Sequence, residues 1–315
     1  METLTASPKP FFARLWIYSK EMFPVLVYIP FVVALYFCMN AATQIISGHE
    51  IVVDTYGIVG MISAFFMMLM MRTFDDLKDF DIDKDLFPWR ATPRGDVLKS
   101  DLHILAITSF SALILVNILF APKTLLVFGI VMIYLILTFL WFFNEEIHRK
   151  NLYLTMADHQ PIPYSINLFL IHTALASGTT YDNFSLNHLL LLFIFTLPVT
   201  AWETSRKIRA IGKETHYETF SLLFGTRTAT WIPFVCLLLT GGLALYVGNS
   251  LDLDLSFVAI TIALILFACF YYIRFLLKPI HEYNILTPIA MVFSVLLFIN
   301  LMVHLLMNAQ ISWQI

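Results

Sequence analysis

The chain has 315 residues, of which 59% are hydrophobic and 13% are charged, and its formal net charge is −3 at pH 7. A mean hydropathy of +0.79 excludes an ordinary soluble domain of this length and indicates a protein that crosses the membrane several times. The apolar runs are as long as membrane helices, which disfavours a β-barrel. The three cysteines lie inside apolar runs, so we expect neither a disulfide framework nor a zinc site.

Nine apolar runs are predicted to span the membrane, which gives an all-α helical bundle in a single integral membrane domain, 1–315. The runs lie near 23–46, 55–72, 101–121, 124–144, 163–178, 185–202, 229–247, 255–277 and 285–307. The fifth run is the shortest. Two long charged connections, 73–100 and 203–228, follow the second and sixth spans, so we predict that the domain consists of two related halves.

Lysine and arginine are distributed unevenly among the connections. With nine spans and the N-terminus in the cytoplasm, all but one of the 19 basic residues fall on the cytoplasmic side, the exception being Lys123 in a tight turn. The positive-inside rule therefore favours nine spans, a cytoplasmic N-terminus and an external C-terminus. The N-terminal residues carry no signal or transit signature, and we expect the protein in a bacterial inner membrane.

A dense run of acidic residues follows the second span. It contains six aspartates within eleven residues: Asp75, Asp76, Asp79, Asp81, Asp83 and Asp85. Like charges at this density repel, and ionisable groups at the mouth of a membrane helix are costly, so a bound divalent cation is the simplest explanation. Asp76, Asp79 and Asp83 have the i, i+3, i+7 spacing of one helix face.

Carboxylate oxygens, water and substrate phosphates are the ligands that Mg²⁺ prefers in proteins. We therefore predict that the stripe of Asp76, Asp79 and Asp83 holds a metal-bound diphosphate. Arg90 and Arg94 follow in the same connection, where they either contact the diphosphate or balance the acids. The alternative for the whole segment is a solvated acidic loop that caps a membrane helix.

A second charged cluster follows the sixth span. Glu203 lies just past the apolar run, and Arg206, Lys207 and Arg209 come within the next two turns. Glu203 and Lys207 stand at i and i+4, where two side chains can share a helix face. We predict that Glu203 contributes a metal ligand and that the basic residues hold phosphate oxygens. The alternative is a positive-inside stop with one surface ion pair.

A third polar segment follows the fourth span. Asn144, Arg149 and Lys150 are candidate contacts for the same diphosphate, because arginine binds phosphate through paired hydrogen bonds and lysine as a point charge. A plain cytoplasmic turn explains the segment equally well. Asp158 and His159 lie near the same face, but a histidine in a turn is more often simply solvated, and no residue is a clear acceptor base.

The first charged segment resembles a motif of the UbiA superfamily of intramembrane prenyltransferases. Those proteins are nine-helix bundles with one aspartate-rich motif after helix two and another after helix six. The segment Asp75–Asp83 is similar to the family pattern NDxxDxxxD, with Asp75 in the place of the asparagine. The segment Arg90–Gly95 is similar to the RPLPxG stretch that often follows, with Ala91 where proline is usual.

The second charged segment departs from the family pattern, which is a DxxxD-like pair. Glu203 is the only carboxylate there, and Ser205 stands where an aspartate is expected. Lys207 matches a basic residue common in this segment, and Thr219–Ala229 is similar to the family stretch that leads into helix seven. The difference at Ser205 puts a second metal ion in question.

The resemblance implies a Mg²⁺-dependent transferase that ionises an isoprenoid diphosphate and passes the prenyl group to an acceptor that the sequence does not identify. The expected partners are this donor, the acceptor and the lipid bilayer, with no nucleic acid. It implies catalytic roles for Asp76, Asp79, Asp83, Glu203 and Lys207, with the four carboxylates as metal ligands. It also implies substrate-binding roles for Asp75, Arg90, Arg94, Asn144, Arg149, Lys150 and Arg206.

Several other functions share parts of this pattern. A terpene cyclase on the same scaffold would ionise the donor identically and capture the cation with the chain's own double bond. A cation transporter is disfavoured, because transport sites lie near the bilayer midplane and these aspartates lie at the membrane edge. A scaffold without catalysis remains an alternative. A CDP-alcohol phosphotransferase has no support, since the DGxxAR segment is missing.

Overall fold

The computed structural model describes residues 9–178, 181–214, 219–307 and 311–314, with only the backbone of residues 149, 150, 152 and 153. Among these residues, eight helices are long and apolar enough to cross a membrane. The chain divides into two compact units, one of Met1–Tyr36 and Thr55–Glu145, the other of Phe37–Asp54 and Glu146–Ile315. The prediction of an all-α membrane protein is therefore confirmed.

The first unit consists of an N-terminal helix and a set of membrane-length helices. Its helices are α1 (Phe11–Glu21), the first turns of α2 (Val25–Ile46), α3 (Thr55–Lys78), α4 (Ile82–Leu86), α5 (Lys99–Phe120) and α6 (Leu125–Phe139). Helix α3 packs along α5 and also contacts α6. The Nδ2 atom of Asn117 donates to Ser63 Oγ at 2.8 Å inside the α3–α5 interface, a hydrogen bond of the kind that joins helices within membranes.

The second unit is a bundle in which α10 is the central element. The helices are α7 (Glu145–Lys150, beginning at the last residue of the first unit), α8 (Leu152–His159), α9 (Pro161–Leu175), α10 (Leu186–Arg206), α11 (Phe220–Phe224), α12 (Thr226–Ser250), α13 (Leu255–Leu277) and α14 (Leu286–Met307). Helix α10 contacts α9, α12 and α14, and α13 packs against both α12 and α14. Short 3₁₀ turns precede α6, α7 and α14 in the chain.

The fifth predicted span corresponds to α9, which has 15 residues. A helix of this length rises about 22 Å, whereas the hydrocarbon core of a bilayer is about 30 Å thick. Helix α9 is therefore too short to be counted with the eight membrane-length helices of the described chain. The total of nine spans stays a prediction.

A pair of short strands was not anticipated from the sequence. Strand β1 (Ile51–Asp54) pairs in parallel with β2 (Ile311–Gln314), with Ile51 opposite Ile311. On the other side of β1, the Gln44 side chain accepts from the Val52 N–H at 2.7 Å and donates to the Val52 carbonyl at 2.8 Å. The backbone polar groups of β1 are thus satisfied by a neighbouring strand and by a side chain of α2, as buried peptide groups require.

The contact between α12 and α13 depends on a glycine. A Cβ atom at Gly248 would lie 2.3 Å from Phe257 Cε1, and Phe257 is fully buried. We expect Gly248→Ala to lower the free energy of unfolding by about 1–3 kcal/mol, because the ring has no room to move. Gly242 in the same helix has no atom within 4 Å of its Cβ position, so Gly242→Ala should leave stability unchanged or raise it. Thermal unfolding in detergent measures both, and equal shifts in the two variants would contradict the prediction.

Candidate functional site

The aspartate-rich segment lies on the end of one long helix and on a second, short helix. Helix α3 continues past the predicted span to Lys78, the chain turns at residues 79–81, and α4 carries Asp83. The prediction of a continuous stripe of Asp76, Asp79 and Asp83 is therefore wrong: Asp76 and Asp83 are buried, whereas Asp79 is exposed. A single helical hydrogen bond from the Asp83 N–H to the Asp79 carbonyl, at 2.8 Å, bridges the break.

The density of aspartates disfavours a continuous helix at this point. Asp75, Asp79 and Asp83 are spaced one helical turn apart, where like charges destabilise a helix. Aspartate also favours turns over helix interiors, because its carboxylate competes for backbone hydrogen bonds. Turning the chain at 79–81 moves the Asp79 carboxylate into the open and leaves Asp76 and Asp83 on the buried side.

Asp76 is held by two partners from different elements. Arg72, one turn earlier on α3, places Nη2 at 2.7 Å from the Asp76 carboxylate. The Tyr18 hydroxyl on α1 donates to Asp76 Oδ2 at 2.9 Å, in a buried position. Burial, together with the Asp76 charge, raises the pKa of Tyr18 well above its usual value, so this hydroxyl stays protonated and remains a donor. Asp76 is a buried anion whose orientation is fixed from both sides.

Asp83 forms a second ion pair beside the first. Arg90 Nη1 donates to Asp83 Oδ2 at 2.8 Å, and the guanidinium lies 3.9 Å from the centre of the Phe87 ring. The charges of Asp83 and Arg90 both act on Asp76. We call Tyr18, Arg72, Asp76, Asp83 and Arg90 the aspartate cluster. Two carboxylates and two guanidiniums make it locally neutral.

The other predicted residues of the first unit have surroundings of their own. Asp75 is half-buried on α3, and Asn144 is exposed after the 3₁₀ turn of Trp141–Phe143. Arg94 forms ion pairs with Glu21 at 3.1 Å and with Asp96 at 2.8 Å. In the structure, Arg90 and Arg94 therefore form ion pairs with acidic side chains, as the charge-balancing alternative predicts. The side chains of residues 149 and 150, predicted as phosphate contacts, lie outside the described part.

The N-terminal helix was not predicted to belong to the site. Arg14 on α1 binds the Asp101 carboxylate through Nε and Nη2, both at 2.7 Å. Lys9, just before the helix, pairs with Asp96 at 2.8 Å. Arg14, Tyr18 and Glu21 have the i, i+4, i+7 spacing of one helix face. This pattern was visible in the sequence, as was the i, i+4 pair of Arg72 and Asp76. Their distant partners were not visible.

The second charged segment lies at the end of α10, in the other unit. Glu203 forms an ion pair with Arg206 at 3.6 Å, and the Arg206 guanidinium lies 4.6 Å from the Trp202 ring centre. Ser205, which replaces the expected aspartate, is buried and shares a 2.9 Å hydrogen bond with the Tyr272 hydroxyl. Lys207 lies beyond the end of α10, with Nζ 5.6 Å from the centre of the Phe220 ring.

The two residues considered as acceptor-side candidates have local partners. His159 Nδ1 lies 2.7 Å from the Thr155 carbonyl, one turn earlier on α8. Asp158 forms an ion pair with His148. These contacts make both residues part of the local fold of α7 and α8.

The aspartate cluster has the donor chemistry of a Mg²⁺ site but also holds its own cations. Carboxylate oxygens suit Mg²⁺, which needs one or two of them when substrate phosphates and water complete the coordination. Asp76 and Asp83 supply such a pair, while Arg72 and Arg90 now neutralise it. Within the described ranges, three or more histidine, cysteine or acidic side chains do not converge on a common point. The cluster thus fits a metal shared with a substrate, not a fully protein-enclosed ion.

Comparison with solved structures identifies the class of fold. A digeranylgeranylglyceryl phosphate synthase aligns with a TM-score of 0.64 over 93% of this chain and 99% of its own length, at 11% identity. A UbiA homolog from Aeropyrum pernix K1 aligns with a TM-score of 0.61 over 85% of this chain and 97% of its own, at 14% identity. By sequence, no family model and no curated protein matches.

These alignments cover nearly the whole chain, although few residues are identical. The protein is a polytopic helical membrane protein. Its architecture is that of the UbiA-type prenyltransferases, and the resemblance predicted from the two charged segments is confirmed at the level of fold.

Proposed function

We propose that the protein is an intramembrane prenyltransferase that ionises an isoprenoid diphosphate and transfers the prenyl group to an acceptor. The observation that carries the proposal is the buried pair of Asp76 and Asp83 at the end of a membrane helix, in a UbiA-type fold. Buried carboxylates at a membrane edge are costly, and such groups in membrane proteins usually serve function. One similar structure is of an enzyme whose name describes a prenylated glyceryl phosphate.

The reaction requires stabilisation of a leaving diphosphate. The allylic C–O bond breaks, both electrons go to the diphosphate oxygen, and the acceptor then bonds to the prenyl cation and releases a proton. Mg²⁺, when bound by Asp76 and Asp83 with Asp79 nearby, supplies positive charge to the leaving group. Asp79 is exposed beside them and is accessible to such an ion. Glu203 and Lys207 stay predicted members of the same machinery.

The residues around the carboxylates act by holding them in position. Tyr18 on α1 and Arg72 on α3 both hold the Asp76 carboxylate, and Arg90 holds that of Asp83. Both arginines carry further N–H donors: among the described atoms, Arg72 Nε is buried and has no hydrogen-bond partner. An incoming diphosphate is a better partner for a guanidinium than a single carboxylate, because it offers several charged oxygens. Substrate binding would therefore free Asp76 and Asp83 to bind the metal.

Donor turnover tests the proposal. Purified membranes are supplied with geranyl, farnesyl or geranylgeranyl diphosphate, with Mg²⁺ or with EDTA, and diphosphate release and products are followed. We expect Mg²⁺-dependent release and a prenylated product. A cyclic hydrocarbon or alcohol formed without acceptor would favour the cyclase instead. No consumption of any donor by folded protein would contradict the proposal.

Tyr18 is expected to be a positioning residue for Asp76. We expect Tyr18→Phe to reduce kcat by roughly tenfold or more, because a hydrogen bond to a buried charge contributes about 1.5–3 kcal/mol. The Mg²⁺ concentration for half-maximal rate should rise as well, since the carboxylate is less firmly held. Tyr28 also lies near Arg72 and stacks on Phe23, with ring centres 3.9 Å apart.

Tyr28→Phe is the matched control for Tyr18→Phe. It removes a hydroxyl near the same arginine that makes no described hydrogen bond to Asp76, so both the rate and its Mg²⁺ dependence should stay close to those of the wild type. A Tyr18→Phe enzyme with an unchanged Mg²⁺ dependence would show that Tyr18 serves the fold alone.

A further inference from the structure

A basic cavity lies in the second unit, beside the end of α10. Its volume is about 430 Å³, and it is open to the surface. The polar groups that line it are Ser205, Arg209, Lys213, His281, Asn284 and Thr287. Ser205 and Glu203 are two residues apart on α10, which places them on roughly opposite sides of the helix. The cavity is therefore separate from the predicted metal ligand Glu203.

The walls of the cavity are fixed by hydrogen bonds between two connections of the chain. Asn284 Nδ2 donates to the Ile208 carbonyl at 3.0 Å, and the Ile211 N–H donates to the Pro279 carbonyl at 3.2 Å. The Arg209 N–H donates to Ser221 Oγ at 2.7 Å. These bonds tie the segment after α10 to the segment before α14 and to α11. The shape of the cavity is thus fixed by hydrogen bonds of the fold.

Among the described residues, the basic side chains of the cavity have no acidic partner. The hydrogen bonds described for Arg209 Nη1 go to carbonyl oxygens, those of Arg206 at 3.0 Å and Ile208 at 3.5 Å, which do not neutralise the guanidinium charge. Within the described ranges, no carboxylate forms an ion pair with Arg209, Lys213 or His281, and no acidic residue lines the cavity. The neighbouring Glu214 accepts a hydrogen bond from Thr219 at 2.6 Å, and Glu282 is exposed. Converging cations with hydroxyl and amide donors are a typical anion site.

The cavity also lies where lipid headgroups are expected. It is formed where α10 ends and where the membrane-length segment His281–Met307 begins. Large apolar side chains are exposed close by in sequence, at Ile211, Leu222 and Leu277. Basic pockets beside membrane helices are the usual way in which proteins hold acidic headgroups.

From these observations we propose that Arg209, Lys213 and His281 bind a phosphate group. A phosphate monoester has the charge and the number of acceptor oxygens that two cations, an imidazole and the Asn284 and Thr287 side chains can satisfy. The group is carried by an anionic lipid or is free in solution. The inference concerns binding alone and goes beyond prenyl transfer.

Ligand-induced stabilisation tests the site. Protein in neutral detergent is titrated with short-chain phosphatidic acid, short-chain phosphatidylcholine and inorganic phosphate, and the apparent Kd is taken from the rise in Tm. We expect saturable stabilisation by phosphatidic acid but not by phosphatidylcholine. Lys213→Gln should weaken it roughly tenfold, and Arg209→Gln with Lys213→Gln should weaken it further, since each lost charged hydrogen bond costs at least about one order of magnitude.

Controls separate this site from the general charge of the protein. Arg227→Gln removes an exposed cation outside the cavity and should leave the Kd unchanged. Asp76→Asn should also leave it unchanged, so the result does not depend on the proposed activity. Saturable stabilisation by inorganic phosphate that the cavity variants weaken would support the site with a soluble ligand. No stabilisation in the wild type, or stabilisation unaffected by Lys213→Gln, would overturn the proposal.

Discussion

Replacing Asp76 by asparagine is expected to reduce donor turnover by at least about a hundredfold, the loss typical when one group that stabilises transition-state charge is removed. Asparagine keeps the shape of the side chain and can still accept from the Tyr18 hydroxyl. It removes the negative charge that Arg72 and a bound cation both require. The rate of diphosphate release measures the effect, and the thermal midpoint verifies that the variant is folded.

Asp81 provides a matched control within the same acidic segment. Its side chain is 78% exposed and pairs with Lys84 at 2.8 Å. A solvated ion pair contributes little to the stability of the fold. The Asp81→Asn variant should therefore turn over donor at nearly the wild-type rate. If the two variants lose activity equally, the segment acts through its total charge, and the distinction between buried and exposed aspartates is wrong.

Asp101→Ala is expected to lower the free energy of unfolding by about 2–3 kcal/mol. Asp101 is 1% exposed, binds Arg14 through two hydrogen bonds and accepts from the Leu98 N–H at the start of α5 at 2.9 Å. The substitution removes a helix cap and leaves the Arg14 guanidinium without its partner. It should also weaken turnover, because α1 carries Tyr18 to Asp76.

The control for Asp101→Ala is Asp96→Ala, which removes another carboxylate that binds the N-terminal region. Lys9 and Arg94 lower the pKa of Asp96 below its usual value, but the pair is solvent-accessible. Solvent-screened ion pairs of this kind contribute little to the free energy of unfolding. Asp96→Ala should therefore shift the unfolding midpoint only slightly. Equal shifts for the two variants, measured by thermal unfolding in detergent, would contradict the larger contribution to stability expected of the Arg14–Asp101 pair.

The helices were predictable because each apolar run is long enough to require a membrane or a bundle around it. The placement of the charged segments was predictable for the same reason: charges cannot continue into the hydrocarbon. The prediction from local spacing failed at Asp79, because i, i+3, i+7 periodicity assumes an unbroken helix and α3 ends at Lys78. Likewise, a 15-residue apolar run gives no sign of whether it spans a membrane or is buried beside longer helices.

The parts of the site that the sequence did not reveal depend on partners far apart in the chain. The hydrogen bond from Tyr18 to Asp76 joins residues 58 positions apart, and the pair of Arg14 and Asp101 joins residues 87 positions apart. A single sequence records the composition of each segment and not which segments meet. Ser205 illustrates the same limit: its contact with Tyr272 depends on the packing of α10 against later helices.

The pairing of β1 with β2 has a consequence for the order in which the protein assembles. Ile51 pairs with Ile311, which is synthesised after all eight membrane-length helices that the structure describes. Contacts at such sequence separation form late, because the loop between them must close first. The second unit is therefore assembled from segments that are synthesised at different times. Its first segment, Phe37–Asp54, is synthesised early and gains its strand partner last. Gln44 on α2 satisfies the Val52 peptide groups on the other side of β1, so the edge that faces β2 is the one that stays open to strand pairing until β2 is made.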